Sequence, residues 1–536
     1  MSEHELYEKY WSQGKKPVKL PAKIVLTEKP LHDGKGGFKK KARICVCGNF
    51  EEGVGHDPFN RSEVPSSYEL RTLLALAEDE EWDVGALDIK TAFLNADLDD
   101  DLDPTYLVNV SSVLALLAKL GVQLPKKYWK LRKVLYGLRS GPKRWGDRRD
   151  KDLREASITL DSGEKLTLEQ GKACKHLWLV KIGERIVARF LVYVDDVIIT
   201  GPTGIVVKVL ELFENLWECK VSGIIPRSET KDWTDKVERV EKMNFLGMTL
   251  EKRNQKLLLH QHQYILTKLR DRNLLEGHGK WNLPSSQEGK LAPEEKDDEF
   301  QGKKTQAQIE VGTLMWLTIK TRPDIGPVVG IAASNIAHNP SEALRLCQGI
   351  WKYLAMTADL GMAMEKTNER RLTKHSPELG PQVLIASDAS FAPGGGKSRT
   401  GVVIMVNDIV VHWTTTRQDR TALSTCESEI LAHRTGVQIG LCIRDLVKEA
   451  TGDKVEVKME GDNAGAIKSV QTEITAWRTR HYAGDASWIR DKLEEESIEL
   501  NHRPGKELIA DGLTKILPRE LLEQFRSRAA IKSRKC

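Results

Sequence analysis

The chain is poor in the features that mark small stapled folds or membrane proteins. Its 536 residues hold 8 cysteines and no CxxC pair, which excludes zinc ribbons and disulfide scaffolds. Cys45 and Cys47, two apart on an expected strand, read as reduced core residues. No apolar run reaches the roughly 18 residues of a membrane span. The longest runs, near 186–199 and 401–411, are broken by Arg189, Asp195, Asp196, Asn407 and Asp408. The opening MSEHELYEKYW has no apolar signal core, so secretion is not expected. A dominant charge is also lacking: 82 basic against 77 acidic side chains leaves +5, and the total names no partner.

What is there begins with length. At roughly 100–200 residues per domain the chain holds about three or four. Charge is segregated. Residues 1–50 carry 11 basic and 5 acidic side chains, 78–104 carry 1 and 11, 126–154 carry 12 and 3, and 519–536 carry 6 and 2. Basic blocks flanking an acidic one suit a polyanion lying along the former while divalent cations sit on the latter.

Turn residues divide the chain further. Residues 20–50 read as two strands around Asp33-Gly34-Lys35-Gly36-Gly37, residues 69–78 as a helix, and 185–200 as two apolar strands around Asp195-Asp196. Residues 284–305 are polar and read as a linker. Residues 306–360 look helical with a break at Thr321-Arg322-Pro323-Asp324. Strand patterns return over 381–411, and 424–449 reads as a long helix. There is no internal repeat and no regular βαβ period, so the expected class is α+β multidomain.

Asp195 and Asp196 sit in RFLVYVDDVIITG, and Asp88 follows an apolar stretch in GALDIKTAFLN. Burying adjacent carboxylates among valines and isoleucines costs several kcal/mol per charge without a partner. One reading is a hairpin turn with both carboxylates in water. The other is a turn that aims them at divalent metal, with three Asp on neighbouring strands supplying hard oxygen ligands.

Seven segments in order resemble the reverse transcriptases of copia-type LTR retrotransposons. They are KKKARICVCGNF (39–50), LRTLLALA (70–77), LDIKTAFLNADL (87–98), KLRKVLYGLRSGPKRW (130–145), YVDD (193–196), NFLGMTLEK (244–252) and VGTLMWLTIKTRPDI (311–325). The resemblance spans roughly 20–518 and implies a right-hand polymerase of fingers, palm and thumb, followed by an RNase H-like domain. It implies catalytic metal ligation by Asp88, Asp195 and Asp196. It places Phe93 against the sugar of the incoming nucleotide, Arg43 on its triphosphate, and Phe245, Leu246 and Gly247 at the primer end. Ser140 and Gly141 stand where the family has Gln and Ala, so Ser140 is the expected nucleotide-site residue at a point of departure.

In the C-terminal third, Asp388 follows the run VLIA, Glu429 lies near a helix start, Asp462 follows VEVKMEG, and Asp511 precedes Leu513. Their spacing alone fixes no site. In order they match the family's ribonuclease H acids, which implies a second catalytic metal set. Glu427 is the rival for the Glu position, and His481 matches a family His with Ala483 beyond it where an acid is usual.

Three motifs are set aside. Asp161-Ser162-Gly163 lacks the apolar strand of a protease triplet. Gly394-Gly395-Gly396-Lys397-Ser398 has Phe391 where a P-loop needs Gly. His260 and His262 lack further ligands nearby and read as exposed or core residues.

The expected division is an N-terminal extension (1–19), fingers and palm (20–255), a thumb or connection region (256–375), an RNase H-like domain (380–518) and a basic tail (519–536). The expected activity copies RNA into DNA and cleaves the RNA strand of the hybrid. It uses two Mg²⁺ per site, or Mn²⁺, with RNA template, DNA primer, RNA–DNA hybrid and dNTPs as partners and no membrane. The expected location is the cytoplasm, in virus-like particles, with entry to the nucleus. The rival readings are an inactive relic of the element and a domesticated nucleic-acid-binding scaffold.

Overall fold

The computed structural model describes residues 3–14, 17–30, 38–51, 66–98, 105–119, 121, 123, 127–227, 236–275, 279–285, 293–295, 298–367, 380–393, 396–472 and 480–535. After α1 (Glu3–Lys9), the long strands β1 (Val18–Pro30) and β2 (Phe38–Val46) pair antiparallel. The turn expected between them lies outside the described residues. β1 also pairs in parallel with β4 (Tyr106–Asn109), which pairs with β5 (Tyr128–Lys130), giving the order β2-β1-β4-β5. The helix α3 (Ser111–Lys119) packs on β1.

The second sheet has seven strands in the order β11-β3-β10-β9-β8-β7-β6. They are β3 (Asp83–Ile89), β6 (Ser157–Thr159), β7 (Lys165–Gln170), β8 (Leu177–Ile182), β9 (Arg185–Tyr193), β10 (Asp196–Gly201) and β11 (Cys219–Ile225). On one face lie α4 (Gly141–Glu155) and α5 (Thr203–Leu216), with Trp145, Leu153, Val206, Leu210 and Phe213 in a shared core. On the other lies α2 (Ser67–Asp79), started by the Glu69 carboxylate, which accepts from Ser66 N at 2.9 Å. Coverage on both faces explains why the strands of 185–200 read as continuous apolar runs.

A third sheet, β12-β13-β14-β15-β21, joins distant parts of the chain. Its strands are β12 (Lys242–Phe245), β13 (Met248–Arg253), β14 (Lys256–His260), β15 (Leu360–Met364) and β21 (Ile531–Ser533). Four helices connect them: α6 (His262–Arg270), α7 (Phe300–Lys320), α8 (Gly326–Asn335) and α9 (Pro340–Met356). The expected helix break holds a buried ion pair, Arg322–Asp324, whose carboxylate also accepts from Tyr353 Oη at 2.6 Å.

The last sheet runs β18-β17-β16-β19-β20. β16 (Gln382–Ser390), β17 (Arg399–Val406) and β18 (Ile409–Arg417) are antiparallel, while β19 (Glu456–Gly461) and β20 (Glu499–His502) extend it in parallel from β16. α10 (Thr425–Thr451) packs across it, with α11 (Ala464–Gln471) and α12 (Arg480–Glu495) beyond.

Several expected boundaries shift. The cut at 255/256 falls inside the β13–β14 hairpin, where Asn254 and Gln255 form the turn at φ 45° and 62°. Within the 284–305 linker α7 already begins at Phe300, while 286–292 and 296–297 lie outside the described residues. Residues 519–535 are no loose tail: α13 (Arg519–Arg528) and β21 return to pair with β15. Cys45 and Cys47 are half-buried free thiols rather than core residues, because β2 ends between them. His260 is buried against Glu251 at 3.0 Å, and His262 Nδ1 lies 2.8 Å from Ala358 O.

One core runs from Leu70 in α2, through the third sheet and α7–α9, to the β16–β20 sheet and Ile531. Polar joints reinforce it. Arg71 of α2, 2% exposed, donates to Val411 O at 2.6 Å, Lys320 O at 3.0 Å and Ile319 O at 3.2 Å, and stacks on Trp413 at 3.9 Å. The Glu449 carboxylate of α10 accepts from the N–H groups of Ala173 and Cys174, both at 3.1 Å.

Candidate active sites

Asp88 is the last residue but one of β3 and Asp196 begins β10, and the antiparallel register sets them directly opposite each other. Ile89 N donates to Asp195 O at 2.7 Å, so the third acid joins the same edge. The turn between β9 and β10 has two central residues, Val194 and Asp195, with Val194 at φ 56°. A β-branched residue in the left-handed region is strained, and such strain persists only where neighbours hold it. Trp145 of α4 is that neighbour: its Nε1 donates to Val194 O at 2.7 Å, and its ring is buried.

A hairpin turn is present, but its central residues are Val194-Asp195 rather than Asp195-Asp196, and the acids are half-buried instead of free in water. Burial, and then the charge of Asp88, push the Asp195 carboxyl above the usual carboxylate range. Lys41 and Arg43 of β2 pull it the other way, so the charges of these two residues act on Asp195.

The other residues expected here stand on separate elements. Phe93 lies half-buried in a 3₁₀ turn, Ala92–Asn95, and meets Tyr136 edge-on at 5.4 Å. It packs against both the first-sheet core and the second-sheet core. Gly137, at φ 95°, lets that loop press on β2: a Cβ there would stand 2.0 Å from Val46 O. Ser140 caps α4, is only 8% exposed, and accepts from Arg144 Nε at 3.3 Å. Phe245 is buried at the β12–β13 turn, with Leu246 and Gly247 both at positive φ, 49° and 76°. Trp316 of α7 closes over Gly247, leaving 2.8 Å for an added Cβ.

The second acid group is built from different elements. β16 and β19 are parallel neighbours, so Asp388 and Asp462 emerge at the same end of the sheet. Glu429 comes from the first turns of α10, which crosses that end. One ligand atom from each of the three lies within 4.8 Å of the others. Asp388 is 2% and Glu429 5% exposed, and the buried Oε2 of Glu429 has no hydrogen-bond partner. Burial first, then Asp388 and Asp462, push the Glu429 carboxyl up to about 9. Burial raises Asp388 to about 6, and Asp511 and Asp462 add to the rise.

Asp511 stands in the 3₁₀ turn Ile509–Leu513, paired with Lys515 and outside the tight trio. Glu427 is engaged elsewhere. Its Oε2 accepts from Leu423 N at 2.7 Å and meets His481 Nε2 at 3.1 Å, as a helix-start carboxylate does. The three close carboxylates with an orphaned buried oxygen fit divalent cations with hard oxygen ligands.

Residues 10–284 match the family described as Reverse transcriptase (RNA-dependent DNA polymerase). The chain belongs to this reverse transcriptase family. The Pol polyprotein of transposon TNT 1-94 from Nicotiana tabacum is 26% identical over 95% of this chain and 35% of that relative. That of transposon RE1 from Arabidopsis thaliana is 28% identical over 95% of this chain and 31% of the relative. Both are retrovirus-related Pol polyproteins of plant transposons, in keeping with the copia-type resemblance, and the chain spans about a third of their length. A foamy virus protease–reverse transcriptase structure aligns over 96% of this chain and 53% of that one, at 11% identity and a TM-score of 0.24, too low to argue from.

For a reverse transcriptase chain, motif reading missed the residues that hold the acids. Trp145 braces the Val194 turn, and Thr514 Oγ1 donates to Asp388 Oδ2 at 2.5 Å. His433, one helical turn past Glu429, is buried with Nδ1 2.9 Å from Ser387 Oγ. The i, i+4 spacing of Glu429 and His433 on one helix face was the available signal for the last of these.

Proposed function

We propose that this chain is an RNA-directed DNA polymerase with an appended ribonuclease H. The observation that carries the polymerase reading is the β3–β10 register, which sets Asp88 against Asp196 beside Asp195, on which the charges of Lys41 and Arg43 act. On this reading β1, β2, β4 and β5 form fingers, the seven-stranded sheet the palm, and 242–364 the thumb and connection. Asp388, Glu429, Asp462 and Asp511 serve the nuclease.

Bound at these acids, Mg²⁺ or Mn²⁺ would activate the attacking oxygen and neutralise the leaving group in both reactions. The chain's own residues do the positioning. Arg43 offers a planar fork to the triphosphate of a dNTP. Phe93, held edge-on by Tyr136, sets a flat wall under the incoming sugar. The Leu246–Gly247 turn, clamped by Trp316, gives a rigid support for the primer end. Ser140 does not reach toward a nucleotide in this reading: it is buried and held to Arg144, so it supports the start of α4. The basic blocks hold phosphate backbones, which makes binding salt-sensitive and largely sequence-independent.

The test is incorporation of dTTP on poly(rA)/oligo(dT) with Mg²⁺ by the purified chain. Incorporation that disappears in Asp195→Asn supports the reading. No incorporation in the unaltered chain, with nucleic-acid binding retained, favours an inactive relic or a binding scaffold.

A further inference from the structure

Four carboxylates at one end of the β16–β20 sheet need positive charge, and one cation of the chain sits among them. Lys515 follows Asp511 by four residues, and its ammonium pairs with that carboxylate. Its field reaches Asp388, Glu429 and Asp462, lowering the proton affinity of each. The preceding Thr514 donates to Asp388 Oδ2 at 2.5 Å, so two consecutive residues grip two different acids. His502 also faces the group, with Nε2 3.0 Å from Asp462 O.

Lys515 is not locked in place. Its side chain is 52% exposed. It lines the mouth of a cleft of about 270 Å³ shared with Asp462, Asp511, Lys506 and Arg528. The buried Oε2 of Glu429 remains without a partner, so Lys515 offsets the charge of the cluster from its rim without filling its centre.

We propose that Lys515 is a resident counter-cation of the nuclease site: it holds Asp511 in the ion-free chain and must leave that carboxylate before Asp511 can take a divalent ion. This rests on the nuclease reading above. Lys515 is thus a positioning residue that sets the ion affinity of the site. An ammonium and a divalent ion cannot both occupy one carboxylate at close range without strong repulsion. Removing the ammonium therefore strengthens ion binding while loosening the Asp511 side chain.

The experiment is a Mn²⁺ titration of the full chain, followed by electron paramagnetic resonance without nucleic acid. An Asp88→Asn/Asp195→Asn background silences the palm. Lys515→Met and Lys515→Gln should each bind Mn²⁺ on the order of tenfold more tightly, while Lys515→Arg stays within about twofold of the parent. In the palm-intact chain Lys515→Met should cleave hybrid with a lower Mg²⁺ half-saturation and a lower maximal rate. Unchanged or weaker Mn²⁺ affinity in both neutral variants, with parental melting curves, overturns the role of Lys515. Asp462→Asn in the same background separates the two layers. If it leaves Mn²⁺ binding intact, the nuclease site itself has been misread. If it removes binding while the Lys515 variants change nothing, only the counter-cation fails.

Discussion

The two acid groups of this chain solve the same electrostatic problem differently. In the first, Asp88 and Asp196 face each other across a strand pair, with Asp195 on a strained turn. All three are half-buried, and cations from β2 reach Asp195 from another sheet. In the second, Asp388 and Glu429 are buried and, among the described residues, form with Asp462 the trio whose ligand atoms lie within 4.8 Å. There the carboxyls of Asp388 and Glu429 rise to about 6 and about 9. Strand register assembles an open site that a separate basic hairpin can cover. A helix laid across parallel strand ends assembles a compressed site that favours protons when no metal ion is bound.

The two acid groups belong to one folded body, and Arg71 is a joint that holds it together. Arg71→Met removes hydrogen bonds to three carbonyls, those of Val411, Ile319 and Lys320. Leaving buried acceptors unpaired costs about 3 kcal/mol or more. DNA synthesis, hybrid cleavage and the melting temperature should fall together. Loss of one activity alone, with an unchanged melting curve, would mean that the halves fold independently.

The compressed site makes a pH prediction with a definite sign. Without divalent ions, folded Glu429 keeps its proton up to about pH 9, whereas an unfolded Glu releases it near ~4.3. Between those values the folded chain binds more protons than the unfolded one, so stability falls as pH rises through the window. Asp388 acts in the same direction from about 3.9 to about 6. Measured in EDTA, the melting temperature should drop by several degrees between roughly pH 6 and 9. Glu429→Gln should flatten that drop. Asp195→Asn should leave it in place, since the Asp195 rise is smaller and opposed by Lys41 and Arg43.

The smallest effect concerns Phe93. If its ring is the wall beneath the sugar, Phe93→Val raises the ratio of rNTP to dNTP use by about tenfold, ~1.4 kcal/mol on the barrier. Its contacts with two cores and Tyr136 supply the competing outcome. A packing role predicts ~2–4 kcal/mol of lost stability, with both activities lowered and the ratio unchanged.

Much of this was legible in the sequence, and the illegible parts share a cause. Asp88, Asp195 and Asp196 follow apolar stretches in recognisable motifs, and turn residues and apolar runs located β1, β2, β9 and β10. The segment ELRTLLALA read as an ordinary helix, yet Leu70–Ala77 are all buried, Arg71 and Thr72 included. Nothing local says that a second sheet covers its polar side. The terminal basic residues read as a solvated tail because a short strand such as Ile531–Ser533 declares itself only through its partner, β15. Lys515 carries no local signal for the same reason: its meaning depends on acids 4 to 127 residues away. Contacts between distant residues decide all three, and local propensity carries no information about them.

Primer extension and RNA cleavage read in one reaction on a labelled RNA–DNA hybrid, with Mg²⁺ and dNTPs, test the separation of the two sites most directly. Asp195→Asn should lose extension and keep cleavage within a few-fold, because a neutral amide cannot replace a metal-ligating carboxylate while the trio of Asp388, Glu429 and Asp462 is untouched. Asp462→Asn should do the reverse. Either single variant abolishing both activities, while keeping the parental melting curve, would contradict two separate acid centres in this chain.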